Sequence, residues 1–164
     1  MLRVTLLFLF IFTSLFAEET EEFPFLGLIV STQSIDIDKI SKETETSFGL
    51  RYGKQTLDWR TMFTYEFASN DYQMFGMEID KILMDEIMGM PEFRPYLGAT
   101  VGYLTYDNDT LTDDNGYFYG ANAGFIIYAT DNIDADLSYH YYKVSGIDAL
   151  NNIKGGTFSL HYFY

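Results

Sequence analysis

An apolar or aromatic residue stands at every second position over most of this chain, in segments of about ten residues parted by polar stretches. A period of two belongs to a strand whose two faces meet different surroundings. What constrains the fold most is the content of the second face. It carries Glu45, Arg51, Asp58, Arg60, Glu66, Glu78, Asp80, Arg94, Asp134, Asp136 and His140, with many glycines between them. A soluble barrel turns its apolar face inward, to fill or line its interior. So many ionisable groups cannot line a lipid-binding cavity, yet they can pair with one another in a narrow polar lumen. A charge facing lipid near the bilayer midplane costs roughly 2–4 kcal/mol. The ionisable face is therefore expected inside, and the aromatic face outside in hydrocarbon.

Eight segments carry the pattern: about 23–34, 44–53, 56–67, 72–83, 93–106, 117–130, 133–144 and 155–164. In the first, Leu26, Leu28 and Val30 oppose Gly27, Ile29 and Ser31. In the last, GGTFSLHYFY, the set Phe158, Leu160, Tyr162 and Tyr164 opposes Thr157, Ser159, His161 and Phe163. Tight turns are expected at Gly53-Lys54-Gln55 and Asp131-Asn132. Pro91 and Pro95 flank the start of the fifth segment, where a missing N–H is tolerated. From Lys81 to Met90 the period of two fails, and two readings fit: a short amphipathic helical turn, or a strand end followed by an irregular turn. Trp59 with Tyr65 or Phe67, and Phe93 with Tyr103, fall near opposite strand ends, as aromatic girdles at two interfaces do.

The N-terminus reads Met1-Leu2-Arg3, an apolar run from Val4 to Phe16, then Ala17-Glu18-Glu19. One positive charge, a short apolar core and a small residue before a polar start describe a cleavable secretory signal. Residues 1–17 are thus expected to be a signal peptide and 18–164 a single barrel domain. With both ends of the barrel on the periplasmic side, the stretches Ile35–Glu43, Ala68–Asp71, Asp107–Gly116 and Ser145–Lys154 face outward. Cysteine is absent, which excludes disulfides, thiolate metal sites and a Cys-linked lipid anchor. With 24 Asp and Glu against 10 Lys and Arg, the chain lacks the basic surface that nucleic acid requires.

Chemistry-bearing candidates are few. The lumen acids with Arg51, Arg60 and Arg94 form either a structural network or a gated ion path. Asp107, Asp109, Asp113 and Asp114 offer oxygens suited to Ca²⁺. The EF-hand pattern needs Gly at its sixth position and Glu at its twelfth, where this loop has Thr112 and Phe118. No metal and no cofactor is assigned. His140 and His161 are the only histidines, so any histidine base is one of them. Ser138 shares the face of His140, and Asp136 stands where it would orient the ring. Nothing resembles the motifs of barrel enzymes that modify lipids, and no catalytic residue is assigned.

Three segments taken together resemble a known family. Arg94-Pro95-Tyr96-Leu97-Gly98-Ala99 followed by Gly102-Tyr103, then Gly120-Ala121-Asn122-Ala123-Gly124-Phe125, then ATDNIDADLSYHYY from Ala129 to Tyr142, are similar to the small OmpA/OmpX-type outer-membrane β-barrel domains. The resemblance implies an all-β, eight-stranded antiparallel up-and-down transmembrane barrel in the bacterial outer membrane. It implies insertion by the outer-membrane assembly machinery, among outer-membrane lipids and lipopolysaccharide. The role it implies is structural, adhesive or protective, through an unidentified surface ligand and without a shared catalytic set. A narrow channel, or a lipid-modifying enzyme, is the alternative. The terminal set Phe158, Leu160, Tyr162 and Tyr164 resembles the signal by which the assembly machinery recognises its clients.

Overall fold

Strands in hydrocarbon must satisfy every backbone N–H and C=O among themselves, and only a closed sheet does so. The computed structural model closes. It describes residues 21–37, 43–68, 72–83, 90, 92–106, 115–147 and 150–164. All regular elements among these are strands: β1 Phe23–Ile37, β2 Glu43–Gln55, β3 Trp59–Ala68, β4 Tyr72–Ile82, β5 Phe93–Tyr106, β6 Asn115–Tyr128, β7 Ile133–Ser145 and β8 Leu150–Phe163. Each pairs antiparallel with its neighbours in sequence, and β8 returns to β1. The chain is a closed eight-stranded antiparallel up-and-down barrel.

The stagger of the sheet follows from its register. Paired residues lead from Leu26 through Tyr52, Phe63, Met77, Val101, Tyr119, Lys143 and Asn152 back to β1 at Asp36. One circuit thus climbs ten residues along β1, a shear that goes with strands tilted by about 35–45°. The tilt sets the two ends of the barrel. One end holds Phe23, Phe163 and the short connections 56–58 and 129–132; the other holds the strand ends Ile37, Glu43, Ala68, Tyr72, Tyr106, Asn115, Ser145 and Leu150.

Away from the strand ends the faces follow the expected alternation, but several boundaries move. Gly53, Lys54 and Gln55 belong to β2 rather than to a turn. A Cβ on inward-facing Gly53 would lie 2.7 Å from Met62 Cβ and 2.8 Å from the Phe25 ring, so this glycine serves close packing. The turn is Thr56-Leu57-Asp58, where the Thr56 hydroxyl accepts from the N–H groups of Asp58 (3.3 Å) and Trp59 (3.0 Å). β1 runs on to Ile37, and β8 begins at Leu150 inside the segment expected as a loop. The leader 1–17, the acidic stretch 107–114, and most of 81–90 with its helical alternative lie outside the described residues.

The lumen is not polar throughout. At the end opposite the termini, Ile35, Leu104, Phe118, Tyr142, Ile147 and Ile153 belong to an apolar plug that fills the bore. At the other end Ile82, Tyr96 and Ile126 pack together. Between them lies the polar band.

Candidate functional site

Arg60 on β3 has no exposed surface. Its Nε donates to Asp80 Oδ2 of β4 at 2.9 Å, and its Nη2 to Asp136 Oδ2 of β7 at 2.7 Å. Asp136 Oδ1 also accepts from the Tyr96 hydroxyl of β5 at 3.1 Å, while the Tyr96 ring lies 4.5 Å beneath the guanidinium. Asn122 of β6 donates its amide to Glu78 at 2.6 Å and to Asp80 at 2.9 Å. Arg51 of β2 donates to the Ser159 hydroxyl of β8 at 2.8 Å and stands 4.0 Å from both Glu78 and Asp136. Toward the apolar plug, Glu66 accepts from Ser47 at 2.6 Å and from Gln33 of β1 at 3.1 Å. Seven strands, β2 to β8, therefore contribute to one polar belt across the bore, and the Gln33–Ser47–Glu66 cluster lies beside it toward the plug.

Buried charges are tolerated only when paired in good geometry, because desolvation otherwise exceeds the Coulomb gain. Glycine makes the pairing possible at Gly98, where any Cβ would collide with Asp80 and Asn122. Near the terminus-bearing end, His161 Nδ1 donates to Asp134 at 2.7 Å, and its ring lies 4.7 Å from that of Phe25. A Cβ on Gly27 would strike the His161 ring. Gly27→Ala is accordingly expected to lose roughly 1–3 kcal/mol through overpacking, read as a lower urea midpoint in detergent micelles.

The band encloses a cavity of about 10 Å³, lined by residues including Arg51, Thr64, Glu66, Glu78 and His140. That is room for about one water molecule. Among the described residues no three metal-ligating side chains converge.

The exterior has the opposite character. Leu28, Leu50 and Leu97 are 64%, 58% and 58% exposed, and Phe63, Val101, Leu137, Phe158 and Leu160 join them in a continuous apolar band. Trp59, Phe93 and Tyr162 rim it toward the terminus-bearing end, and Phe67, Tyr103, Tyr117 and Tyr119 toward the other.

No protein-family model and no curated protein matches the chain. Solved structures do. Neisserial surface protein A superposes with a TM-score of 0.65 at 16% identity, over 86% of this chain and 97% of that one. Outer membrane protein H of Pseudomonas aeruginosa gives 0.63 at 20% identity, over 87% and 99%. The N-terminal β-barrel domain of Pseudomonas aeruginosa OprF gives 0.61 at 12% identity, over 85% and 97%. The fold is that of the small outer-membrane β-barrels.

Within this outer-membrane barrel fold the candidate residues separate. Arg51, Arg60, Glu78, Asp80 and Asp136 meet in the belt, Glu66 sits apart with Ser47 and Gln33, and Asp134 joins His161. Glu45 is half-buried toward the plug end. Arg94 is half-buried too, 5.4 Å from the Tyr128 ring rather than in the belt. Asp58 is a correction. It sits exposed in the 56–58 turn and pairs outside with Lys81 at 3.3 Å, because β3 begins at Trp59, about three residues later than its alternation implied. The expected orientation of His140 by Asp136 is also overturned. Asp136 is held by Arg60 and Tyr96, whereas His140 stacks on Tyr142 at 4.6 Å with Nδ1 3.3 Å from the Thr157 hydroxyl. Sequence reasoning missed Asn122, Tyr96 and Ser159 as belt members. Their inward parity was visible, but parity alone does not say which neutral side chains bridge charges.

Proposed function

We propose that this chain is a non-enzymatic barrel of the bacterial outer membrane, exported by its N-terminal leader, that stabilises the envelope or meets surface ligands through its loops. One observation carries the reading. The interior is spent on holding itself together: a belt drawn from seven of the eight strands, a plug of apolar side chains, and a cavity of about 10 Å³. Function is thereby left to the lipid-facing band and the outer rim. The likeness to Neisserial surface protein A and to outer membrane protein H of P. aeruginosa supports the location. The termini and short turns then lie in the periplasm.

The test combines place and permeability. The protein is expected in the membrane fraction, migrating faster on a gel before boiling than after. Recovery as a soluble periplasmic protein would sink the reading. In planar bilayers the barrel is expected to be silent. Discrete conductance that changes in Arg60→Ala would establish the channel alternative instead. The enzyme alternative predicts altered lipid A on overexpression, abolished by His140→Ala; an unchanged lipid profile removes it.

A further inference from the structure

The polar atoms of the bore are mostly paired with one another, and three of the exceptions gather in one place. Nε of Arg51, Oγ1 of Thr64 and Nε2 of His140 have no hydrogen-bond partner among the described residues. They come from β2, β3 and β7, and the three residues are 4%, 6% and 3% exposed. All three line the cavity of about 10 Å³. Every residue lining that cavity stands on a strand, so none of the connections takes part in its wall. Native interiors rarely leave one buried polar atom unpaired, still less three around the same space. The rest of each network is already committed. Arg51 Nη1 donates to Ser159 at 2.8 Å. His140 Nδ1 lies 3.3 Å from the Thr157 hydroxyl, which lies 2.9 Å from that of Ser31.

The size and chemistry of the wall choose the occupant. The volume admits about one water molecule. Arg51 opposes a cation there, while Glu66 and Glu78 in the same wall oppose an anion. The Nε–H of an arginine can only donate, and a hydroxyl can donate or accept. An imidazole nitrogen whose ring partner carries the proton can only accept. A small neutral molecule that both donates and accepts satisfies all three.

We propose that the bore holds one resident water molecule, accepting from Arg51 Nε–H, donating to His140 Nε2 and bonded to the Thr64 hydroxyl. About three bonds are usual for a buried water. In this arrangement His140 Nδ1 carries the ring proton and donates to Thr157, whose hydroxyl donates to Ser31. Ser31 and Thr157 are opposite one another in the β1–β8 pairing that closes the sheet. The belt reaches β2 to β8 by direct contacts, and the water carries it across the closing seam to β1. This inference concerns the interior and stands whichever surface role the loops have.

The test uses the full mature barrel folded in detergent micelles. Magnetisation transfer from the water line is expected at the His140 Hε1 proton, beside Nε2. It is expected to be absent at the Leu104 methyls of the plug, which have no exposed surface. Thr64→Val keeps the shape of the side chain and removes its hydroxyl. With a resident water, that change takes away one of its partners and should lower the folding equilibrium constant about fivefold. With no water, it removes an unpaired buried hydroxyl and should raise that constant. A rise or no change overturns the site, as does a His140 ring proton no closer to water than Leu104. Thr64 and Ser31 share no direct hydrogen bond, yet one network joins them through the water. Thr64→Val and Ser31→Ala together should therefore cost less than the product of their separate fold-changes. Strict multiplication overturns the link to the seam. The effect of Thr64→Val should be the same in sodium chloride and in potassium acetate at equal ionic strength. A difference makes the occupant an ion and overturns the choice of water.

Discussion

Arg60→Ala is expected to destabilise the barrel by about 3–5 kcal/mol, the usual consequence of removing one partner from a buried ion pair. The magnitude comes less from the lost attraction than from what remains. Asp80 and Asp136, both without exposed surface, would face each other with no cation between them. Arg51 cannot take over, since it already stands 4.0 Å from Asp136 and is tied to Ser159. Urea unfolding in phospholipid bilayers, followed through Trp59, should show the full loss. Two comparisons make the result specific to buried charge. Combining Arg60→Ala with Asp80→Asn and Asp136→Asn should recover much of the loss, because neutral amides need no cation. Arg94→Ala should cost about 1 kcal/mol or less, as a half-exposed cation over an aromatic ring contributes only that order. If Arg60→Ala and Arg94→Ala prove equally mild, the belt is not what holds the bore together.

How far such a belt can be read from the chain depends on which rule each residue obeys. Parity alone placed Arg51, Arg60, Glu78 and Asp136 inside, because a period of two leaves a strand residue no third choice of face. It failed at the strand ends, where something else sets the conformation. Asp58 has the parity of Arg60, yet Thr56 folds the backbone around its hydroxyl and puts Asp58 in the turn. Gly53 was read as a turn former, whereas its missing side chain makes room for Phe25 and Met62. The start of β8 was hidden by a bulge. Asp36 pairs with Asn152 but Ile37 with Leu150, so Asn151 is the extra residue. Leu150 and Ile153 then both point inward three residues apart, and the strand ceases to alternate. The apolar plug escaped notice for a related reason. Its members come from six strands and a loop, each contributing one or two residues, so no local window contains the cluster. Only the closed register assembles it.

The last strand carries two separable predictions, one thermodynamic and one about assembly. Leu160 lies opposite Leu28 in the apolar band and is 47% exposed to lipid, so Leu160→Arg should cost roughly 2–4 kcal/mol wherever the barrel is folded. That loss should appear equally in purified protein refolded into bilayers and in cells. Tyr164 is different. It lies just beyond β8, exposed, with its N–H donating to the Pro24 carbonyl at 3.3 Å and its side chain hydrogen-bonded to Tyr52 of β2. Changing Tyr162 and Tyr164 to Asp at the membrane rim should therefore alter refolding in vitro by no more than about 1 kcal/mol, since the penalty for charge falls toward zero at the interface. If the terminal aromatics are what the assembly machinery recognises, the same change should block insertion in cells while secretion continues. Normal refolding with failed insertion would assign Tyr162 and Tyr164 to recognition. Failure in both settings would make them part of the closing seam, where β8 meets β1 and the sheet has no edge left to pair.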